Sequence, residues 1–195
     1  MRIAVMGTGG VGGYFGARLA AAGGDVAFIA RGAHKEAIAR DGLRVLSPTG
    51  DLHVRPAQVV DDPRAVGPCD VVLFAVKLWD TERAAELVRP LLGADTAGVS
   101  LQNGVEQEDT IARVLGPGHV MGGVARISAA IESPGVIRHA GIPPQIVFGE
   151  RDGRDSPRQR ALLAACRAAG VDARASDHID RDIWEKFVFL VPMSG

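Results

Sequence analysis

A chain of 195 residues with a formal net charge of −1 has apolar material for one good-sized core, or for one domain and the beginning of a second. Its 22 basic residues include only three lysines, Lys35, Lys77 and Lys186, and the arginines form no block, which argues against a nucleic-acid or membrane surface. No apolar run approaches the ~18 residues of a membrane helix, and Cys69 and Cys166 lie far apart without a C-x-x-C, so the expectation is a soluble cytoplasmic protein with idle thiols.

The chain opens with Arg2 to Met6, a short β-branched run, followed by Gly7, Gly9 and Gly12 in the spacing G-x-G-x-x-G and then by small residues. That order reads strand, tight turn, helix. Gly7 permits the turn, Gly9 lets backbone approach a pyrophosphate, and Gly12 allows helix to pack closely on strand, while the helix start offers free N–H groups to phosphates. The same glycines also occur in plain strand-to-helix turns. Asp25 to Ala30 reads as a second strand ending in Arg31, with no acid at its end. At this position an acid suits the ribose 2′-OH of NAD and an Arg the 2′-phosphate of NADP, which favours NADP over a merely solvated arginine.

His34 to Arg40 is expected as a short helix, and residues 43 to 55 as a hairpin turning at Pro48-Thr49-Gly50-Asp51 with His53 on its surface. Val71 to Val76 reads as a buried parallel strand, followed by Lys77, by a helix capped by Asp80 or Thr81 and running to about Leu92, and by a strand from Val99 to Leu101 ending in Gln102-Asn103-Gly104. Lys77 and Asn103 thus fall at carboxyl ends of parallel strands, the ligand edge of such a sheet. A helix from Val105 to Leu115, strands at Val120 to Ile131, Gly135 to His139 and Gln145 to Gly149, a helix from Ser156 to Ala169 and a strand from Val171 to Ala175 complete the pattern. The fold class is a Rossmann-type, doubly wound, mostly parallel α/β sheet over residues 1–177. Residues 178–195 read as the opening helix of an all-α second domain, with Ile183, Phe187, Leu190 and Val191 at helical spacing, Trp184 and Val188 widening the stripe, Lys186 at its edge and Pro192 disturbing it. No His or Cys has a partner at metal-site spacing, and no G-x-S-x-G is present.

An ordered set of segments resembles one family. Gly7-Thr8-Gly9-Gly10-Val11-Gly12-Gly13, Arg31, Ala75-Val76-Lys77, Leu101-Gln102-Asn103-Gly104-Val105-Glu106, Ser133-Pro134-Gly135-Val136-Ile137-Arg138-His139 and Trp184-Glu185-Lys186-Phe187 together resemble ketopantoate reductase, or 2-dehydropantoate 2-reductase. The resemblance implies an NADPH-dependent reduction of ketopantoate to pantoate, on the way to pantothenate and coenzyme A. It implies that Gly7, Thr8, Gly9, Gly10, Val11, Gly12 and Arg31 hold NADP, that Lys77 lies along the cofactor, that Asn103 contacts nicotinamide and substrate, and that Lys186 donates the proton. One position departs: the family usually carries Asn one turn after that lysine, and here it is Leu190.

The residue types suit this chemistry. Hydride delivered to a ketone leaves charge on oxygen, which a partly desolvated lysine can stabilise and protonate, while Asn103 can orient the carbonyl. Lys186 as a snorkelling helix lysine and Asn103 as a turn residue before Gly104 are the plainer alternatives. A related reductase of another ketone, or an NADP-binding module without turnover, are the competing functions. The apolar stripe of the last helix must dock on its own sheet, on a second domain or on another copy, and homo-oligomerisation is the expectation.

Overall fold

Six strands run parallel side by side to one edge of a ten-stranded sheet in this computed structural model, which describes residues 1–55 and 58–190. They are β1 (Arg2–Met6), β2 (Asp25–Ile29), β5 (Gln58–Val60), β6 (Cys69–Phe74), β7 (Leu92–Ser100) and β8 (Val120–Ser133), in the spatial order β8-β7-β6-β1-β2-β5. β1 and β6 are apolar almost throughout because both faces are covered; Ala4, Val5, Val72 and Phe74 are fully buried. β9 (Val136–Glu150) pairs antiparallel with β8. Its outer side takes β3 (Leu43–Leu46) and, further on, β10 (Asp172–Ala175), both parallel, and β4 (Leu52–Val54) closes the hairpin with β3.

Helix α1 (Gly10–Ala21) lies directly on this sheet because it presents hydrogens where side chains would stand. A Cβ on Gly10 would fall 2.1 Å from the Ala129 carbonyl oxygen, one on Gly13 2.0 Å from Ile137 Cδ1, and one on Gly16 2.7 Å from the Phe28 ring. The run of small residues after the first strand is therefore a packing surface. The other helices are α2 (Gly32–Asp41), α3 (Thr81–Leu87), α4 (Gln107–Leu115), α5 (Pro157–Ala168) and α6 (Ile179–Leu190). The Ser156 hydroxyl caps α5 by accepting from the Gln159 N–H at 3.2 Å.

Several boundaries differ from the sequence reading, each for a local reason. The helix expected to run to Leu92 stops at Leu87, and Pro90 ends regular helix by lacking an N–H and crowding the carbonyl four residues back; a 3-10 turn over Arg89–Leu91 follows. Neither Asp80 nor Thr81 caps α3 by a side-chain bond to its N–H groups; the Thr81 hydroxyl instead donates to the Leu78 carbonyl at 2.6 Å. β7 starts at Leu92, seven residues before the apolar run that signals it, because the Cys69–Leu92 pairing across a bulge recruits weak strand formers. Val105 lies ahead of α4, and β5, only three residues long, escaped the pattern altogether.

The two strands expected at 135–139 and 145–149 are one, β9. Their ladder to β8 skips from Ser128–Ala140 to Arg126–Gln145, so residues 141–144 form a bulge opposite Ile127. Gly141, at φ 77°, and two prolines make that bulge, and the buried His139 ring bonds the Ile142 carbonyl at 3.0 Å and the Ser47 hydroxyl at 2.8 Å. The glycine and prolines bend the strand without ending it. Cys69 and Cys166 are free and buried in different clusters, and burial pushes their thiols up to about 11 and about 12.

In α6 the stripe is rotated from the one expected. Ile179 and Ile183 are the residues buried, packing with Val124 and Val147 beside Val105, where Gly122 and Gly149 leave room for them. Phe187 is half-buried, its ring edge-on to Trp184 at 5.9 Å, and Trp184, Val188 and Phe189 are exposed. Val191 and Pro192 lie outside the described residues. No helix among the described residues is long and apolar enough to cross a membrane.

Candidate functional site

The glycine turn is held to the end of β2 by three bonds to one oxygen: the N–H groups of Gly7 and Thr8 and the Thr8 hydroxyl all donate to the Ile29 carbonyl, at 3.3, 3.1 and 3.0 Å. Gly7 sits at φ 100°, a backbone state that side-chain-bearing residues avoid. Beside this turn opens a cavity of about 490 Å³, bordered by Gly7, Thr8, Gly9, Arg31, His34, Lys77, Asp80 and Arg83 and roofed by Ile131 at the far end of β8. The first turn of α1 adjoins it, so unpaired N–H groups and the positive end of the helix dipole face the same region as the turn.

The donor set fits an anionic dinucleotide on two counts. Arg31, Lys77 and Arg83 set three cations on the rim against the single carboxylate of Asp80. A Cβ on Gly9 would meet no protein atom within 4 Å, so the backbone there is bare toward open space. The other residues of the motif do different work. Gly12 is pressed on β1, since a Cβ would fall 2.3 Å from the Gly7 carbonyl oxygen, Gly10 is pressed on Ala129, and Val11 packs on the core; none of the three borders the cavity. His34 accepts a bond from the Gly135 N–H at Nδ1, which ties the β8–β9 turn to α2, and burial lowers its pKa.

Around the carboxyl end of β7 the chain builds a second cavity, also of about 490 Å³. Asn103 and Lys186 border it together with Arg126, and Ile127, Ile142, Phe189 and Leu190 supply its apolar wall. Lys186 Nζ donates to Asn103 Oδ1 at 2.8 Å, joining residues 83 positions apart. This leaves the Asn103 amide N–H groups without a partner among the described residues, available to a ligand oxygen. Burial, then the like charge of Arg126, pulls the Lys186 ammonium down to about 8, with Glu108 opposing. Asn103 borders this second cavity and not the first.

Residues 3–153 match the model of the ketopantoate reductase PanE/ApbA family. The chain belongs to that family. It is 31% identical over 195 residues to the uncharacterized oxidoreductase YkpB of Bacillus subtilis and 34% identical over 199 residues to the 2-dehydropantoate 2-reductase of Halobacterium salinarum, covering all of this chain and 64% of each relative. Among solved structures it is similar to the 2-dehydropantoate 2-reductase of Geobacter metallireducens, with a TM-score of 0.93 and 39% identity over 100% of this chain and 64% of that one. The chain thus spans less than two thirds of the length of these relatives.

Three residues around the two cavities were not singled out from sequence. Arg83 and Arg126 are ordinary arginines in a chain full of them, and nothing local sets them apart. Glu108 is the third. It is 2% exposed in the first turn of α4, neither carboxyl oxygen has a hydrogen-bond partner by geometry, and burial pushes it up to about 7 although the Gly123 backbone and Arg151 pull the other way. Arg151 is engaged elsewhere, with Asp109 at 2.6 Å and Asp180 at 3.1 Å.

Because the folded state binds this proton more tightly than the unfolded chain, Glu108 favours folding below about pH 4.5, and that contribution is lost as pH rises through about 7. Glu108→Gln is expected to stabilise the protein at pH 8 by up to about 3 kcal/mol and to do little at pH 5. Urea unfolding at the two pH values checks this; equal effects at both would show that the carboxyl is not the cause.

Proposed function

We propose that this chain holds NADPH in the first cavity and serves a reductase of 2-keto acids, with 2-dehydropantoate as substrate in pantothenate and coenzyme A biosynthesis. The observation that carries the reading is the bond from Lys186 to Asn103 at the mouth of a largely apolar cavity, next to the carboxyl edge of the sheet. NADPH, when bound, supplies the hydride for the ketone carbon. The protein supplies the rest. Asn103 donates its free amide N–H to the carbonyl oxygen and fixes its direction, and Lys186 stabilises the charge that develops there and transfers a proton to it. A lysine drawn down to about 8 remains mostly protonated at neutral pH yet releases its proton more readily than an ordinary one.

Gly7, Thr8 and Gly9 line the pyrophosphate region of this reading, Gly10, Val11 and Gly12 hold the helix start in place behind it, and Lys77 and Arg83 face the phosphates from the other wall. Arg31, separated from β2 by one residue, is the residue for a 2′-phosphate. Arg31→Ala is expected to weaken NADPH about 10-fold or more while changing NADH little, given the strength of a charge-assisted bond. Calorimetric titration of both cofactors checks it, and equal loss for both would remove the NADP assignment. Binding is expected of this chain as it stands. Turnover is expected of a form spanning the full length of its relatives, since positioning the ketone against both groups is costly to relax.

A further inference from the structure

Arg126 is a cation in search of an anion. It stands on β8 at the border of the second cavity, exposed, and its bond goes to a neutral partner, the Gln145 side-chain oxygen at 3.1 Å. No carboxylate lies within ion-pair distance of it among the described residues, whereas ten other arginines, Arg151 and Arg158 among them, each pair with an acid. Another cation, Lys186, borders the same cavity, and Arg126 pushes its ammonium down. Of the acids nearby, Glu108 is buried and Asp172 meets Arg126 only through the Gln145 amide, which donates to it at 2.9 Å; neither is part of the cavity wall. Two cations placed together on one wall repel each other unless a ligand brings negative charge between them.

The rest of the lining says what kind of anion. Asn103 offers amide N–H groups for one more oxygen, and Ile127, Ile142, Phe189 and Leu190 form an apolar surface for a short hydrocarbon tail. Ile142 reaches this wall because the bulge at residues 141–144 carries it there. We propose that Arg126 is the carboxylate-binding residue of the site: its planar guanidinium pairs with the carboxylate of a 2-keto acid whose ketone oxygen meets Lys186 and Asn103 and whose tail lies on the apolar wall. This rests on the keto-acid reading above and adds the residue that distinguishes an acid from a simple ketone or an ester.

The test is binding without turnover. The chain, with and without saturating NADP⁺, is titrated by calorimetry with 3,3-dimethyl-2-oxobutanoate and with its methyl ester, for the wild type, Arg126→Gln and Arg126→Lys. The wild type is expected to bind the acid at least about 10-fold more tightly than the ester. Arg126→Gln should lose about 10-fold or more for the acid and less than 2-fold for the ester, and Arg126→Lys should recover part of the loss, with NADP⁺ affinity and melting temperature unchanged in both. Equal affinity of the wild type for acid and ester, equal losses for both in Arg126→Gln, or no binding of the acid under either condition would overturn the assignment. Failure to bind NADP⁺ would instead count against the cofactor reading, and the titrations without cofactor still decide Arg126.

Discussion

Replacing Lys186 by Met is expected to lower turnover by roughly 10²–10⁴ while leaving NADPH affinity within about twofold, measured in a form that spans the full length of the relatives. The split follows from position. Lys186 borders the second cavity and makes its bond to Asn103, and it does not border the cavity assigned to the dinucleotide. Met keeps the length and the apolar stem, so what is lost is the proton and the charge. The wild-type pH profile should carry the same signature: Lys186 donates only when protonated, so reduction falls as pH rises through about 8, and that limb should vanish in the mutant's residual activity. A mutant that retains most of its turnover would make Lys186 a packing residue.

The glycine motif gives the second large effect, and there the two central predictions diverge. Gly12→Ala places a Cβ 2.3 Å from the Gly7 carbonyl oxygen and 2.8 Å from Ala75 Cβ, contacts that only a shift of α1 away from β1 can relieve. Overpacking of this kind costs about 1–3 kcal/mol, a drop in melting temperature of roughly 3–10 °C for a chain this size, and dinucleotide binding should fall with it. Gly9→Ala meets no protein atom and occupies an ordinary extended backbone, so its melting temperature should match the wild type. Its new methyl group instead stands where a pyrophosphate must approach, and NADPH binding should weaken by about 10-fold or more. Thermal melts with and without NADPH separate the cases. Gly9→Ala binding like the wild type would place the phosphates elsewhere.

The spacing of Gly7, Gly9 and Gly12 after an apolar run was legible in the chain by itself, because turn, backbone approach and close packing each demand a missing side chain at a fixed offset. So were the buried strands β1, β2 and β6, whose continuous apolar runs leave no other way to satisfy both faces of a sheet. That Arg31, Lys77 and Asn103 follow carboxyl ends of parallel strands was legible from the strand pattern alone. The tertiary structure decided what local pattern cannot carry. β7 extends back to Leu92 because a neighbouring strand supplies hydrogen bonds to residues with little strand preference of their own, and β9 continues through two prolines because its partner tolerates a bulge. Ile179 and Ile183 are buried because glycines at 122 and 149 on two separate strands open a groove for them, a match no helical periodicity can announce. The second cavity follows the same rule: Asn103, Arg126, Ile142 and Lys186 come from four parts of the chain, and their chemistry is collective. Desolvation of Glu108 and the mutual repulsion of Arg126 and Lys186 arise only when elements far apart in sequence exclude water from one another and hold like charges together.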